Sequence, residues 1–152
     1  PPVIGWAVAM NNISLEPIVM FLIIFIWTPS HFWALSLYKF KDYEKAKIPM
    51  LPITAGIKKT KLNILVYAIL MFPVVIAPFL TGFGSIVYLI LSLGTTIYYI
   101  NLCYLLFKTK TVSKSNLIAR KVFVYSIFYL FFLFLLILFD NLFKLNQIIR
   151  FF

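Results

Sequence analysis

The chain has 152 residues, of which 63% are hydrophobic and 19% aromatic, and its 14 basic and 4 acidic side chains give a net charge of +10. Soluble globular domains do not have this composition, which predicts a membrane protein. The single cysteine excludes an intrachain disulfide.

Four apolar stretches are long enough to cross a hydrocarbon core, which takes about 20 residues of helix. They cover residues 17–38, 62–80, 85–107 and 122–139. All four are predicted to be helices, because an open sheet would leave backbone groups unpaired in lipid. The connecting segments are too short for a soluble domain. Residues 1–152 are therefore predicted to form an all-α, polytopic transmembrane helix bundle, or part of one.

The chain begins Pro1-Pro2 and has no basic stretch ahead of a cleavable apolar core. We therefore expect no signal peptide, and we expect the sequence to be a piece of a longer protein.

The positive charges lie almost entirely on one side of the predicted bundle, with Lys144 and Arg150 as the exceptions. Twelve basic residues share that side: Lys39, Lys41, Lys45, Lys47, Lys58, Lys59, Lys61, Lys108, Lys110, Lys114, Arg120 and Lys121. The positive-inside rule places it in the cytoplasm and both termini on the opposite side. Charges at span ends serve topology and contact with anionic headgroups, so the expected partner is the lipid bilayer and not nucleic acid.

The first span contains the only histidine, His31, and an internal proline, Pro29. Pro29 is expected to kink or locally unwind the helix. A titratable ring inside a span usually faces the bundle interior or a wet cavity, which favours a functional role, but a neutral imidazole can also simply bond a neighbouring carbonyl. If the helix continued through Asp42, then His31, Tyr38 and Asp42 would share one face within about 20°, with about 16 Å between His31 and Asp42.

Asp42 and Glu44 are the only carboxylates on the predicted cytoplasmic side. One interpretation is that they are exposed counter-ions for the lysines, and such exposed ion pairs contribute little to stability. The other is a lipid diphosphate site at the mouth of an apolar cavity, because Mg²⁺ is commonly held by one or two carboxylates together with phosphate oxygens and Lys adds positive charge.

Three stretches carry a resemblance to a known family. They are "PPVIGWA" at 1–7, "FIWTPSHFWALSLYKFKDYEKAKIPMLPITAG" at 25–56, and the pair Thr60-Lys61 that opens the next span. They are similar to the C-terminal half of the protoheme IX farnesyltransferase (heme O synthase) family, which is one of the UbiA-type intramembrane prenyltransferases. Later spans match mainly in hydropathy.

The resemblance implies a larger bundle of eight or nine helices, of which this chain supplies four. It implies transfer of a farnesyl group from farnesyl diphosphate to a vinyl group of heme B, with Mg²⁺ as cofactor, in the inner (cytoplasmic) membrane. The product, heme O, would feed oxidase assembly directly or through heme A synthase, which is an expected partner together with the remaining N-terminal half.

The resemblance also implies roles for particular residues. Asp42, Tyr43 and Lys45 would be catalytic at the diphosphate, and Asp42, with Glu44 as a second candidate, would bind Mg²⁺. Cations suit the diphosphate leaving group, aromatic faces suit an allylic carbocation, and a histidine could contact the porphyrin or its iron. The substrate-binding candidates are His31, Trp27, Phe32, Trp33, Tyr38 and Lys61.

The sequence departs from the family pattern at three positions: Lys41 stands where an acidic residue is usual, Lys47 replaces a Gly, and Ser30 replaces a Pro. The wider superfamily also has a second Asp four residues after the first, where this sequence has Ala46. The family's first aspartate-rich motif, N-D-x-x-D-x-x-x-D, does not occur in these 152 residues. We therefore expect the chain alone to be inactive, as half of a split enzyme, a truncated form or a decayed gene product.

Two alternatives stay open at the level of sequence. One is a UbiA-type prenyltransferase for an aromatic quinone precursor, although "PSHFWAL" and "DYEKAKIPMLP" favour heme. The other is a non-catalytic membrane subunit or transporter fragment, in which the lysines would serve topology alone.

Overall fold

The computed structural model describes residues 1–143, and these contain seven helices and no strand. The helices are α1 (Pro2–Met10), α2 (Leu15–Tyr38), α3 (Phe40–Lys45), α4 (Leu51–Thr54), α5 (Ile57–Leu80), α6 (Ile86–Lys108) and α7 (Val112–Leu142). α2, α5, α6 and α7 are long and apolar enough to cross a membrane. The predicted all-α bundle with four spans is confirmed.

Two of the long helices start earlier than the apolar pattern predicts. α5 begins at Ile57 and not at residue 62, and α7 begins at Val112 and not at residue 122. Each added segment contains basic residues. These residues end an apolar stretch in the sequence, but Lys and Arg are good helix formers. The helices therefore extend beyond the apolar stretches on which the prediction was based.

Each long helix packs against two others, so the four form a ring in the order α2, α5, α6, α7. Consecutive helices run antiparallel because short connections join them. The core of the ring contains fully buried aliphatic residues such as Ile23, Ile64, Met71 and Leu133. Cys103 is also buried there, as expected for a packing residue.

Tyrosines and small hydroxyl residues supply hydrogen bonds between the helices. Ser30 of α2 and Tyr99 of α6 lie with their hydroxyls 2.8 Å apart, as do Thr96 of α6 and Tyr129 of α7. The Tyr99 and Tyr129 rings stack with their centroids 5.1 Å apart. Two hydroxyl pairs and one ring stack thus link α6 to α2, which lies opposite it in the ring, and to its neighbour α7.

Pro29 does not unwind α2, and this part of the prediction is wrong. The helix is continuous from Leu15 to Tyr38. Hydroxyl groups on both sides of the proline bond backbone carbonyls of the same helix: Thr28 donates to Ile24 at 2.7 Å and Ser30 to Trp27 at 3.0 Å. These bonds supply donors next to the position where proline removes one.

At the end of the bundle opposite the lysines, a buried carboxylate joins α7 to the start of α6. The sequence alone did not predict this role. Asp140, near the end of α7, is only 2% exposed. It accepts hydrogen bonds from the backbone N–H and the hydroxyl of Ser85, the residue that caps α6. The next residue, Asn141, donates to the carbonyl of Phe83 at 3.2 Å. The end of α7 is thereby attached to the turn between α5 and α6.

The tightest point of that turn is Gly84. A Cβ at this position would lie 2.8 Å from the Tyr88 ring, closer than real contacts allow, and Tyr88 is itself buried. Only glycine lets the chain pass the ring here.

Replacement of Asp140 by alanine tests this attachment. Asp140→Ala leaves two buried donors of Ser85 without an acceptor, so we expect the free energy of unfolding to fall by about 1–3 kcal/mol. Asp140→Asn keeps one acceptor oxygen and should lower the free energy of unfolding by less. Unfolding in mixed detergent, followed by circular dichroism, measures both variants. Equal stability of wild type and Asp140→Ala would contradict the assigned role.

Candidate active site

α2 ends at Tyr38, and a separate short helix carries Asp42. Lys39 leaves the helical region, with φ −100° and ψ 26°, while its N–H still bonds Leu35 at 2.8 Å. Its own carbonyl then accepts the N–H groups of Asp42 and Tyr43 at 3.0 and 3.2 Å, which starts α3. The predicted common helical face of His31, Tyr38 and Asp42 is therefore wrong, because the chain changes direction at Lys39.

α3 ends in a Schellman motif, a helix ending closed by two backbone bonds. The N–H of Lys47 bonds the carbonyl of Glu44, and the N–H of Ile48 bonds that of Tyr43, both at 3.1 Å. The motif needs a left-handed residue after the cap, and Lys47 takes that conformation with φ 53°. This is the position at which the resemblance expects glycine, the residue that adopts positive φ without strain.

A cleft of about 450 Å³ opens where α2 ends and α5 and α7 begin. The polar residues that line it include Lys39, Lys41, Asp42, Lys61, Lys110 and Asn116. Four ammonium groups and one carboxylate thus meet in one concave surface. Such a balance favours an anionic ligand.

Asp42 is held only loosely in the cleft. Its carboxylate lies 3.2 Å from the Lys39 ammonium, and its side chain is 65% exposed. The hydrogen bond and the negative charge of Asp42 raise the pKa of Lys39. An ion pair this exposed contributes little energy. The carboxylate can therefore exchange Lys39 for another cation.

Lys61 is the most enclosed cation of the cleft, with only 7% of its surface exposed. Its ammonium donates to the carbonyl of Thr109, the residue that follows α6, at 2.8 Å. This contact satisfies a carbonyl at the end of a helix, where the backbone lacks partners. An ammonium has three donors, so hydrogens remain for a ligand in the cleft.

The cleft brings part of the predicted cluster together and leaves part of it outside. Asp42, Lys61 and Tyr38 line it together. Tyr43, Glu44 and Lys45 share α3 with Asp42 but are not in the lining, and Glu44 and Lys45 are exposed. Their predicted roles at the diphosphate remain predictions.

Lys110 and Asn116 enter the cleft although the sequence did not single them out. Lys110 lies in the connection between α6 and α7, and Asn116 in the first turns of α7. The only signal in the sequence was that this connection lies on the same side of the bundle as Asp42. That observation groups Lys110 with the basic residues that set the membrane orientation, but it does not predict that Lys110 lines the same cleft as Lys61.

The four aromatic candidates do not line a single channel. Tyr38 borders the cleft, and the Arg120 guanidinium lies 5.8 Å from its ring centroid. Trp33 meets Tyr67 of α5 edge-on at 5.2 Å. Phe32 lies on the surface of the bundle, 49% exposed. Packing of α2 against both α5 and α7 separates these rings, since they lie on different faces of the helix.

His31 lies deeper in α2, clamped between aromatic rings. Its centroid is 4.3 Å from that of Trp27 and 4.8 Å from that of Phe123, both nearly parallel to it. Its Nδ1 lies 2.7 Å from the hydroxyl of Ser126 on α7. Trp27 donates from its indole N–H to the carbonyl of the same serine at 2.9 Å. His31 and Trp27 therefore join α2 to α7 at a single residue.

The described residues contain no group of three His, Cys, Asp or Glu side chains that could hold a metal ion by themselves. Mg²⁺ does not need such a group, because it is commonly bound by one or two carboxylates together with phosphate oxygens. Asp42 is the carboxylate in the cleft. The donor set fits a metal shared between Asp42 and a bound diphosphate.

Comparison with other proteins assigns the chain to a family. The sequence pattern described as the UbiA prenyltransferase family matches residues 1–127. The chain belongs to this family.

Individual UbiA family relatives agree over nearly the whole chain. The protoheme IX farnesyltransferase of Pelagibacter ubique (strain HTCC1062) is 56% identical over 142 residues, which are 93% of this chain and 47% of the relative. The protein of that name from Ehrlichia ruminantium (strain Gardel) is 46% identical over 93% of this chain and 46% of the relative. The one from Rickettsia akari (strain Hartford) is 47% identical over 90% of this chain and 44% of the relative. The chain thus spans less than half the length of these relatives. No solved structure matches it.

The left-handed Lys47 gives a testable prediction for the segment that positions Asp42. Lys47→Gly should stabilise the end of α3 by about 0.5–1 kcal/mol, because a side chain in this conformation costs energy that glycine avoids. The amide of Ile48, which closes the motif, should exchange with solvent about two- to fivefold more slowly.

Lys45→Gly is the matched control, since it places glycine two residues earlier, inside α3. Glycine there should destabilise the helix by about 0.5–1 kcal/mol. If both variants accelerate exchange at Ile48, the strain assigned to Lys47 is absent.

Proposed function

We propose that this chain forms the C-terminal portion of a heme O synthase, which transfers a farnesyl group from farnesyl diphosphate to a vinyl group of heme B. The observation that carries the proposal is the cleft in which Asp42 and Lys61, distant in sequence, line one surface with Lys110. The names of the relatives, protoheme IX farnesyltransferases, supply the substrate class.

The cleft suits the leaving group of that reaction. Ionisation of an allylic diphosphate breaks the C–O bond, and the electron pair leaves with the diphosphate. Lys61 and Lys110 would stabilise the growing negative charge, because fixed cations in an enclosed site need no reorganisation as charge develops. The Lys61 ammonium is preorganised for this role, because its hydrogen bond to the carbonyl of Thr109 already fixes its position.

Asp42 would hold Mg²⁺ against the diphosphate oxygens. Bound there, the metal would neutralise charge on the leaving group. Asp42 would have to release Lys39 for this purpose, and the exposed pair costs little to separate. Lys39 would then face the diphosphate together with the other cations of the cleft.

The allylic and porphyrin portions would extend from the cleft along α2 toward its apolar part. Tyr38 lies at the boundary and offers an aromatic face to a carbocation. Phe32 and His31 both lie nearly two turns earlier in α2. An N-terminal half of the full-length enzyme would complete this surface and contribute the aspartate-rich motif that the resemblance expects.

The lysine-rich end of the bundle would lie in the cytoplasm, and the protein in the inner membrane, because twelve basic residues share that end. Heme A synthase would be a partner that accepts the product.

Asp42→Asn tests the metal assignment in a full-length enzyme that carries this C-terminal portion. We expect product formation to fall by about a hundredfold or more, the scale of losing one electrostatic stabiliser of a transition state. Heme binding should stay largely intact, since Asp42 lies at the diphosphate end. Product formation is measured by chromatography of extracted hemes, and heme binding by optical titration.

Glu44→Gln is the matched comparison, because it neutralises a neighbouring carboxylate on α3 outside the cleft lining. A smaller loss is expected for Glu44→Gln than for Asp42→Asn. If Asp42→Asn remains active, Asp42 is only a surface counter-ion and the metal assignment fails.

The 152-residue chain alone should not form heme O from farnesyl diphosphate and heme B, since it contains a single carboxylate in the cleft and no N-D-x-x-D-x-x-x-D motif. Coexpression with an N-terminal half that carries this motif should restore activity. Turnover by the purified chain at the rate of the coexpressed halves would refute the assignment of an incomplete site.

A further inference from the structure

The hydrogen bonds around Ser126 determine which nitrogen of His31 carries the proton. The Ser126 hydroxyl lies 2.7 Å from Nδ1 of His31 and 2.6 Å from the carbonyl oxygen of Phe123. A carbonyl oxygen can only accept, and a serine has one hydroxyl hydrogen. That hydrogen is therefore donated to Phe123, and the serine oxygen can only accept from the histidine ring. Nδ1 carries a proton, and Nε2 of the neutral ring has a lone pair.

The opposite arrangement would leave one of these contacts without a hydrogen. If the hydroxyl donated to an unprotonated Nδ1, its oxygen would face the Phe123 carbonyl at 2.6 Å with no proton between them. Two oxygen lone pairs at that distance repel. The arrangement with Nδ1–H is the one in which both contacts are hydrogen bonds.

Nε2 is not used within the described part of the chain. It has no hydrogen-bond partner there. It is also not fully buried, so it does not count as a buried polar atom without a partner. Trp27 and Phe123 stack on the ring and Phe32 meets it edge-on, so a ligand can approach the ring only at the edge that these side chains leave open. The lone pair at Nε2 is thus the one reactive group that His31 presents.

We propose that Ser126 is a positioning residue, which holds His31 as the Nδ1–H tautomer and so presents the Nε2 lone pair to a substrate. The same serine also fixes the Trp27 ring that stacks on the imidazole, through its backbone carbonyl. A neutral imidazole nitrogen of this kind accepts a hydrogen bond or a proton, or binds a metal ion. The identity of the substrate rests on the proposed function, whereas the tautomer does not.

The single histidine of the chain makes the tautomer directly measurable. The chain is labelled with ¹⁵N-histidine, purified without a histidine tag, and placed in lipid bilayers at a pH where the ring is neutral. Nitrogen NMR then reports on His31 alone. We expect one tautomer, with the proton on Nδ1. A proton on Nε2, or a mixture of both tautomers, in the wild-type chain would overturn the proposal.

Substitution of Ser126 tests its role. Ser126→Ala should convert the single-tautomer spectrum into a mixture, because the acceptor at Nδ1 is lost. Ser126→Thr keeps a hydroxyl at the same position and should retain the Nδ1–H tautomer. An unchanged spectrum in Ser126→Ala would show that Ser126 does not set the tautomer.

Ser36→Ala is the matched control. Ser36 is also buried and also donates to the carbonyl three residues earlier, that of Trp33 at 2.9 Å, without bonding His31. Its removal should leave the spectrum unchanged. A mixture of tautomers in Ser36→Ala as well would assign the effect to general loosening of the bundle and overturn the proposal.

The spectrum requires no turnover, so its outcome does not depend on heme being the substrate. The wild-type measurement also tests the proposal if the alanine variant fails to fold. Failure of the proposed function would appear instead as absence of heme O in the assays of the full-length enzyme.

Discussion

Polar side chains buried among apolar helices must find their partners inside the bundle, and this constraint determines how the four long helices meet. Ser30 pairs with Tyr99, Thr96 with Tyr129, and Asp140 with Ser85. A hydrogen bond between membrane helices contributes about 0.6 kcal/mol on average. Pairs held by bonds of this average strength add only modestly to the total stability. Their main effect is on register, because α6 or its capping residue takes part in all three pairs, and sliding α6 by a turn would leave every pair unmatched.

The same constraint explains the placement of charge. Asp140 is tolerated in the interior because two donors of Ser85 meet it, and Lys61 because the carbonyl of Thr109 does. The other lysines of the cleft lie where the helices end and water is available. A site that needs several cations and a carboxylate can therefore form at an end of the bundle but not at its middle. The clamped histidine lies within α2, where one neutral ring can be accommodated.

The sequence predicts the spans well because a long apolar run has few alternatives in lipid. It predicts their beginnings less well, since α5 and α7 continue into basic segments that hydropathy treats as loop. The break at Lys39 could not have been predicted, because no glycine or proline marks it. Asp42 and Lys61 were recognised from motifs, but the contributions of Lys110, Ser126 and Asp140 depend on contacts between helices far apart in sequence.

His31 shows how structure can resolve an ambiguity that sequence leaves open. A histidine within a span could be a satisfied packing residue or a functional group, and the residues around it in sequence do not distinguish the two. In the folded chain its two ring nitrogens differ. Nδ1 has a partner in Ser126, which satisfies the structural interpretation, while Nε2 has none among the described residues. The two interpretations are compatible, because the bond that anchors one nitrogen in the bundle is also what leaves the other able to accept.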